Sequence, residues 1–295
     1  MAVYKRGSTG EVVKQIQNAL GLKADGIFGK ATEAAVKKFQ KENGLVADGI
    51  VGKKTLDKMM INMDTDMSNI VKPVSLLEIK NYYLPKGEYV SGKYGNDYII
   101  LHHTAGWDNP MQVVDCWGKD SLGRVATEFV IGGQRCTDGR STYDGQIVRS
   151  YPEGNQGYHI GTSGSSYMNL HSVGIELCNM GWAKGGKVYT GSLIRPDQIV
   201  NIKESFRGYV SWHKYSDKQL KALHDLLLYI AKRDNIDLHK GIYQWIKTEG
   251  AAKAFEFHSD AYYGRVKGLI THANIRKDKF DVSPQPDLID MILTL

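Results

Sequence analysis

Four short segments carry side chains that could meet in a metal-assisted hydrolytic site. His102 and His103 close an apolar, strand-like run that begins at Tyr98. Glu176 sits inside a second apolar run, Ser172-Val-Gly-Ile-Glu-Leu. Far downstream come Thr271-His272 and Lys279-Phe-Asp281. Two histidines and a carboxylate can hold zinc and leave a fourth position for water. A further acid would accept a proton, and a lysine would stabilise an oxyanion. Successive residues of a strand point to opposite faces, so only one of His102 and His103 is expected to enter such a site.

The elements that must position these groups are legible in outline. Tyr98–His102, Ala126–Ile131, Gln146–Tyr151 and Ser172–Leu177 read as strands. Asn109-Pro110 starts a helix with proline at its first position. Ser216-Asp-Lys-Gln219 caps a long helix bearing Leu220, Leu223, Leu226, Leu227 and Ile230 on one face. Further helices are expected over residues 243–256 and from Pro286 to Leu293. Alternating strands and helices predict an α/β fold, with a mixed central sheet flanked by helices.

The N-terminal part differs. Gly21-Leu-Lys-Ala-Asp-Gly-Ile-Phe-Gly-Lys-Ala-Thr32 recurs, 23 residues on, as Gly44-Leu-Val-Ala-Asp-Gly-Ile-Val-Gly-Lys-Lys-Thr55. Each copy makes an Asp-Gly turn leading into a helix. Ser8-Thr-Gly-Glu11 has the spacing of a capping box for a preceding helix with Val12, Val13, Ile16 and Leu20 on its apolar face. The expectation is a small all-α three-helix domain over residues 1–60, a polar linker over 61–75 and an α/β domain over 76–295.

Bulk properties set limits. The 295 residues are 42% hydrophobic, enough for a core in each domain. The net charge of +6 is spread out, so a nucleic-acid partner is not expected, whereas an acidic polymer such as a bacterial wall is compatible. Three cysteines, Cys116, Cys136 and Cys178, show no metal-ligand spacing and make no disulfide framework. No apolar run approaches the ~18 residues of a membrane span, so no membrane insertion is expected. The first residues carry no apolar signal segment, which predicts synthesis in the cytoplasm without a signal peptide.

Residues 3–60, through the repeated Asp-Gly-Ile-x-Gly-Lys-x-Thr motif, resemble the three-helix peptidoglycan-binding domain of cell-wall hydrolases. Residues 96–290 resemble the zinc-dependent N-acetylmuramoyl-L-alanine amidases of type 2, which share their fold with peptidoglycan recognition proteins. This second resemblance rests on Ile-Leu-His102-His103-Thr-Ala, Ala126-Thr-Glu-Phe-Val-Ile131, Gly157-Tyr158-His159-Ile-Gly161, Ser172-Val-Gly-Ile-Glu176, and His272 followed by Lys279-x-Asp281. It implies His102, rather than His103, as a zinc ligand with His272 and Asp281. It further implies Glu176 as general base, Lys279 as oxyanion partner, and His159 with Tyr158 as substrate contacts. Thr127 stands where some members carry a catalytic tyrosine and Glu128 where many carry histidine, which leaves the role of Glu128 open. The segment 183–215 is a long aromatic insertion whose role is also open.

Taken together, the resemblances imply a monomeric Zn2+ enzyme acting on peptidoglycan in the periplasm or cell wall. The bond cut would join N-acetylmuramic acid to L-alanine of the stem peptide, as in a phage endolysin. The alternatives are a non-catalytic peptidoglycan sensor and a zinc peptidase that cuts the stem peptide.

Overall fold

The computed structural model describes residues 3–52, 54–56, 58–59, 77–92, 94–121, 123–161 and 166–295. The expected linker at 61–75 lies outside them. The chain divides into two compact units, Met1–Leu76 and Leu77–Leu295.

In the first unit, α1 (Glu11–Ala19) and α2 (Lys30–Glu42) are followed by helical backbone at 54–56 and 58–59. Val13, Ile16, Phe28, Val36, Val51 and Met59 form its core. The repeat is built around two buried glutamines 23 residues apart, which the sequence reading did not single out. Gln17 donates to Asp25 Oδ1 (2.7 Å), the Ile27 carbonyl and Thr32, and its own Oε1 accepts from the Gly26 N–H. Gln40 repeats this with Asp48 Oδ1 (2.9 Å), the Ile50 carbonyl, Thr55 and the Gly49 N–H. Asp25 and Asp48 therefore hold the turns from within. The expected capping box does not form: Gly10 is the N-cap of α1, and Ser8 Oγ accepts from the Lys5 N–H instead.

The second unit has a six-stranded mixed sheet of β1 (Ile79–Asn81), β2 (Tyr98–His103), β3 (Phe129–Ile131), β4 (Ile147–Arg149), β5 (Ser172–Leu177) and β10 (Gly268–Thr271), in the order β1-β4-β3-β5-β2-β10. Only β3 and β4 pair antiparallel; the rest of the sheet is parallel. β2 is buried along its whole length between β5 and β10, as its unbroken apolar run requires. The helices of this unit are α3 (Pro110–Trp117), α4 (Ser166–Leu170), α5 (Asp217–Asp234), α6 (Ile242–Glu249), α7 (Ala251–Ala254), α8 (Ser259–Tyr262), α9 (His272–Ile275) and α10 (Pro286–Ile292).

Neighbouring residues of β3 alternate between two cores, which places a core on each face of the sheet. Phe129 and Ile131 join Leu223, Leu226, Leu227 and Ile230 of α5, while Val130 joins Val113 and Val114 of α3. Asn109 and Ser216 cap α3 and α5 as expected, accepting from Met111 N–H and Gln219 N–H. The helix expected over 243–256 is broken at Gly250, whose φ of 87° lies in the left-handed region.

The insertion folds as a second, antiparallel sheet of β6 (Trp182–Lys184), β7 (Lys187–Val188), β8 (Ile199–Phe206) and β9 (Tyr209–His213), ordered β7-β6-β9-β8. Phe206 and Trp212 anchor it in the main core. Among the described residues no helix is long and apolar enough to cross a membrane.

Candidate active site

The parallel strands β2, β5 and β10 end side by side, and the chemistry-bearing residues cluster there, where ligands of parallel sheets bind. His102 is the fifth residue of β2, and Glu176, its register partner, is the fifth of β5. His272 follows β10 directly and opens α9. Thr271 caps that helix through a reciprocal capping box with Asn274, whose amide also donates to the Ala254 and Glu256 carbonyls. The position of His272 is thus fixed by backbone that is itself tied down. The chain returns from α9 so that the Ala273 N–H donates to the Asp281 carbonyl at 2.9 Å, which brings the Asp281 carboxylate back beside His272.

Three donor atoms converge. His102 Nδ1 and His272 Nδ1 are 3.0 Å apart. Asp281 Oδ2 lies 3.0 Å from His272 Nδ1 and 3.3 Å from His102 Nδ1. Among the described residues this is the one group of three such side chains placed to hold a metal ion. Its residues are buried. Burial, followed by the neighbouring His272, lowers the His102 imidazole to about 4 despite Asp281, so it is neutral at physiological pH. Burial opposes the charge of Asp281, but the two imidazoles beside it outweigh that and hold its carboxyl well below the ordinary range.

Glu176 shares this end of the sheet and is partly exposed, and its carboxylate makes no hydrogen bond among the described residues. Its enclosed surroundings and then the Asp281 charge push its carboxyl well above the usual value, with Lys279 opposing. Lys279 is half-buried on the loop between His272 and Asp281, and its charge bears on both Glu176 and His102. His103 points away from the cluster, its Nδ1 3.3 Å from the Tyr215 hydroxyl. Tyr158 is half-buried and donates its N–H to the Arg124 carbonyl. His159 is buried, with one ring nitrogen 2.9 Å from His102 Nε2 and the other 2.9 Å from Ser172 Oγ.

Contacts place two features whose roles the sequence leaves open. Glu128 is buried and held in a bidentate pair by Arg233 (2.5 and 2.9 Å), with Arg149 Nε at 3.5 Å. Each of its carboxylate oxygens accepts from Arg233. The insertion sheet buttresses the loop that carries Lys279 and Asp281. Tyr209 stacks on Trp182 with ring centres 4.3 Å apart, and its ring also packs edge-on against Phe280 at 6.1 Å. Arg207, at the turn between β8 and β9, donates to the Ala273 carbonyl at 3.4 Å. Sequence spacing could not place Phe280 against an element some 70 residues earlier.

Residues 93–278 match the sequence profile of N-acetylmuramoyl-L-alanine amidases. The chain belongs to this family. In the amidase, residues 9–59 also match the profile of a putative peptidoglycan binding domain. Among solved structures, a fused Zn-dependent amidase/peptidase/peptidoglycan-binding domain-containing protein from Clostridium acetobutylicum is 38% identical over a short stretch. The match covers 20% of this amidase and 28% of that chain, at a TM-score of 0.20. The amidase LysC from Clostridium intestinale is 16% identical, with 73% of this chain and 94% of that one covered, at a TM-score of 0.39. PlyL is 12% identical, with 68% and 84% covered, at a TM-score of 0.37. No curated protein matches the chain.

Proposed function

We propose that this amidase hydrolyses peptidoglycan at the amide joining the lactyl group of N-acetylmuramic acid to L-alanine, and that His102, His272 and Asp281 hold zinc for that reaction. The observation that carries the reading is the convergence of two imidazole nitrogens and one carboxylate oxygen at 3.0–3.3 Å from one another. Tetrahedral ligands at zinc bond lengths of ~2.0–2.1 Å would stand about 3.3–3.4 Å apart, so the donor set fits with little movement. When bound, zinc would polarise a carbonyl and make water a nucleophile near neutral pH.

This chain's own residues would do the rest. Glu176, beside His102 and with its carboxylate free of hydrogen bonds among the described residues, takes a proton from the attacking water and returns it to the departing amine of L-alanine. The upward push on its carboxyl moves it towards the working pH, where a general base is most effective. Lys279 brings a positive charge to the side where the tetrahedral oxyanion develops. Tyr158, next to His159 in the chain, would contact substrate. The first unit would hold the enzyme to the wall, with an expected monomer acting outside the cytoplasm. A binding-only sensor would have no use for a third ligand, Asp281, together with Glu176 and Lys279, which favours the enzyme.

The test is release of soluble fragments from purified sacculi by the full chain. Chelation should stop it and added Zn2+ should restore it. Undiminished cleavage after complete metal removal would contradict the zinc assignment.

A further inference from the structure

A chain of hydrogen bonds runs from the metal-site histidine back into the protein, and its proton positions can be worked out from one end. Ser172 Oγ lies 2.5 Å from the Met168 carbonyl oxygen. A carbonyl has no proton to give, so the hydroxyl must donate there. That leaves Ser172 Oγ as an acceptor towards His159 Nε2, 2.9 Å away, which must therefore carry its proton. A neutral His159 with a protonated Nε2 has a bare Nδ1. That nitrogen faces His102 Nε2 at 2.9 Å, so His102 must be the donor. His102 is left with its proton on Nε2 and a lone pair on Nδ1, the atom that faces His272 and Asp281.

The surroundings hold this relay in place. Asn169 Oδ1 accepts from the backbone N–H groups of both His159 and Ile160 at 3.1 Å, which fixes the segment carrying the ring. The ring lies against Gly174 of β5, where a Cβ would stand 2.9 Å from His159 Cγ and Nδ1. Any other residue there would displace the imidazole. By contrast, the second ring nitrogen of His272 has no hydrogen-bond partner among the described residues.

We propose that His159 and Ser172 are positioning residues that fix the Nε2–H tautomer of His102 and so preset its Nδ1 as a zinc ligand. The outer partners of metal-bound histidines set ring orientation and tautomer, and their loss typically weakens metal affinity about 10- to 100-fold. With both ring nitrogens committed inside the protein, His159 acts through His102 instead of touching substrate.

The inference rests on the zinc centre proposed above, and zinc affinity measured by chelator competition separates the two. The full chain is compared with Ser172→Ala, His159→Leu and His159→Gln. Ser172→Ala and His159→Leu should bind zinc about 10- to 100-fold more weakly, with the thermal midpoint of the metal-free protein little changed for Ser172→Ala. His159→Gln supplies an amide oxygen for the His102 N–H and should recover most of the affinity lost in His159→Leu. A measurement that needs no variant is the 15N spectrum of the metal-free protein, in which His102 should be protonated at Nε2 and bare at Nδ1. A His102 protonated at Nδ1, or Ser172→Ala with wild-type zinc affinity, would overturn the relay. A wild-type chain that binds no zinc at all would overturn the centre itself.

Discussion

His102 and Glu176 are register partners on adjacent parallel strands, β2 and β5, so the two side chains leave the sheet next to each other on one face. The sheet itself thereby sets a histidine of the His102–His272–Asp281 cluster beside a carboxylate that makes no hydrogen bond among the described residues. A carboxylate placed by strand pairing does not depend on a loop to reach its position.

Glu176→Gln is expected to keep the fold and zinc content while losing about 100- to 10,000-fold in turnover, the usual contribution of general acid–base catalysis. Glutamine is nearly isosteric but cannot accept the proton. Turnover on a soluble muropeptide alongside metal analysis checks this. Normal turnover would place the base elsewhere.

Lys279→Ala should lower kcat by about 100- to 1,000-fold if its charge faces the oxyanion, while Lys279→Arg should retain part of the rate. A fall confined to KM would assign Lys279 to ground-state binding.

The legible part of this site was the part carried by continuous runs. β2 opens on the apolar run Tyr98–Leu101 and β5 is apolar except for Ser172 and Glu176, and both form strands as expected. β10 was missed because Gly268–Thr271 is only four residues long and follows charged Arg265 and Lys267. β1 was missed because it is an exposed edge strand with no apolar run. The strand expected over Ala126–Ile131 is shorter, since Thr127 Oγ1 turns back to donate to the Phe129 carbonyl and Glu128 is drawn to Arg233. The return of Asp281 to His272 depends on a backbone hydrogen bond to Ala273, and no spacing rule announces it.

Glu128→Gln should destabilise the second unit, because Arg233 and Arg149 would lose their shared anion. Breaking a buried pair in this way costs about 3–5 kcal/mol. Denaturant unfolding checks the loss. The enzyme that remains folded is expected to retain its turnover, since the Glu128 carboxylate is engaged by Arg233; a large fall in kcat without a stability change would return it to the list of candidate bases.

Acid should destabilise the metal-free protein in part through His213. Its imidazole is buried and lowered to about 4, chiefly by burial and then by His103. A group whose folded value lies below its unfolded value of ~6.5 contributes stability that is present above pH ~6.5 and is lost as pH falls towards 4. The loss from this group alone is on the order of 3 kcal/mol. Urea midpoints of the metal-free chain at pH 7, 5.5 and 4.5 should fall, and those of His213→Gln should fall less steeply. Equal slopes would remove His213 from the account.

Gln40→Ala should loosen the first unit without touching the second. It leaves the buried Gly49 N–H and the Asp48 turn without their shared partner, and an unsatisfied buried donor costs about 1–3 kcal/mol. Hydrogen exchange should accelerate over residues 9–59. Cleavage of sacculi should slow while turnover of soluble muropeptide stays the same, because tethering matters only for the insoluble wall. Equal slowing on both substrates would make the first unit a stabilising appendage instead of a wall anchor.

The most direct test of the proposed reaction is mass spectrometry of the products released from purified sacculi by the zinc-loaded chain. Cleavage at the lactyl–L-alanine amide should give intact stem peptides with a free L-alanine amino group, and glycan strands that keep their full disaccharide repeat. Shortened stem peptides still attached to glycan would contradict the account and make the enzyme a peptidase.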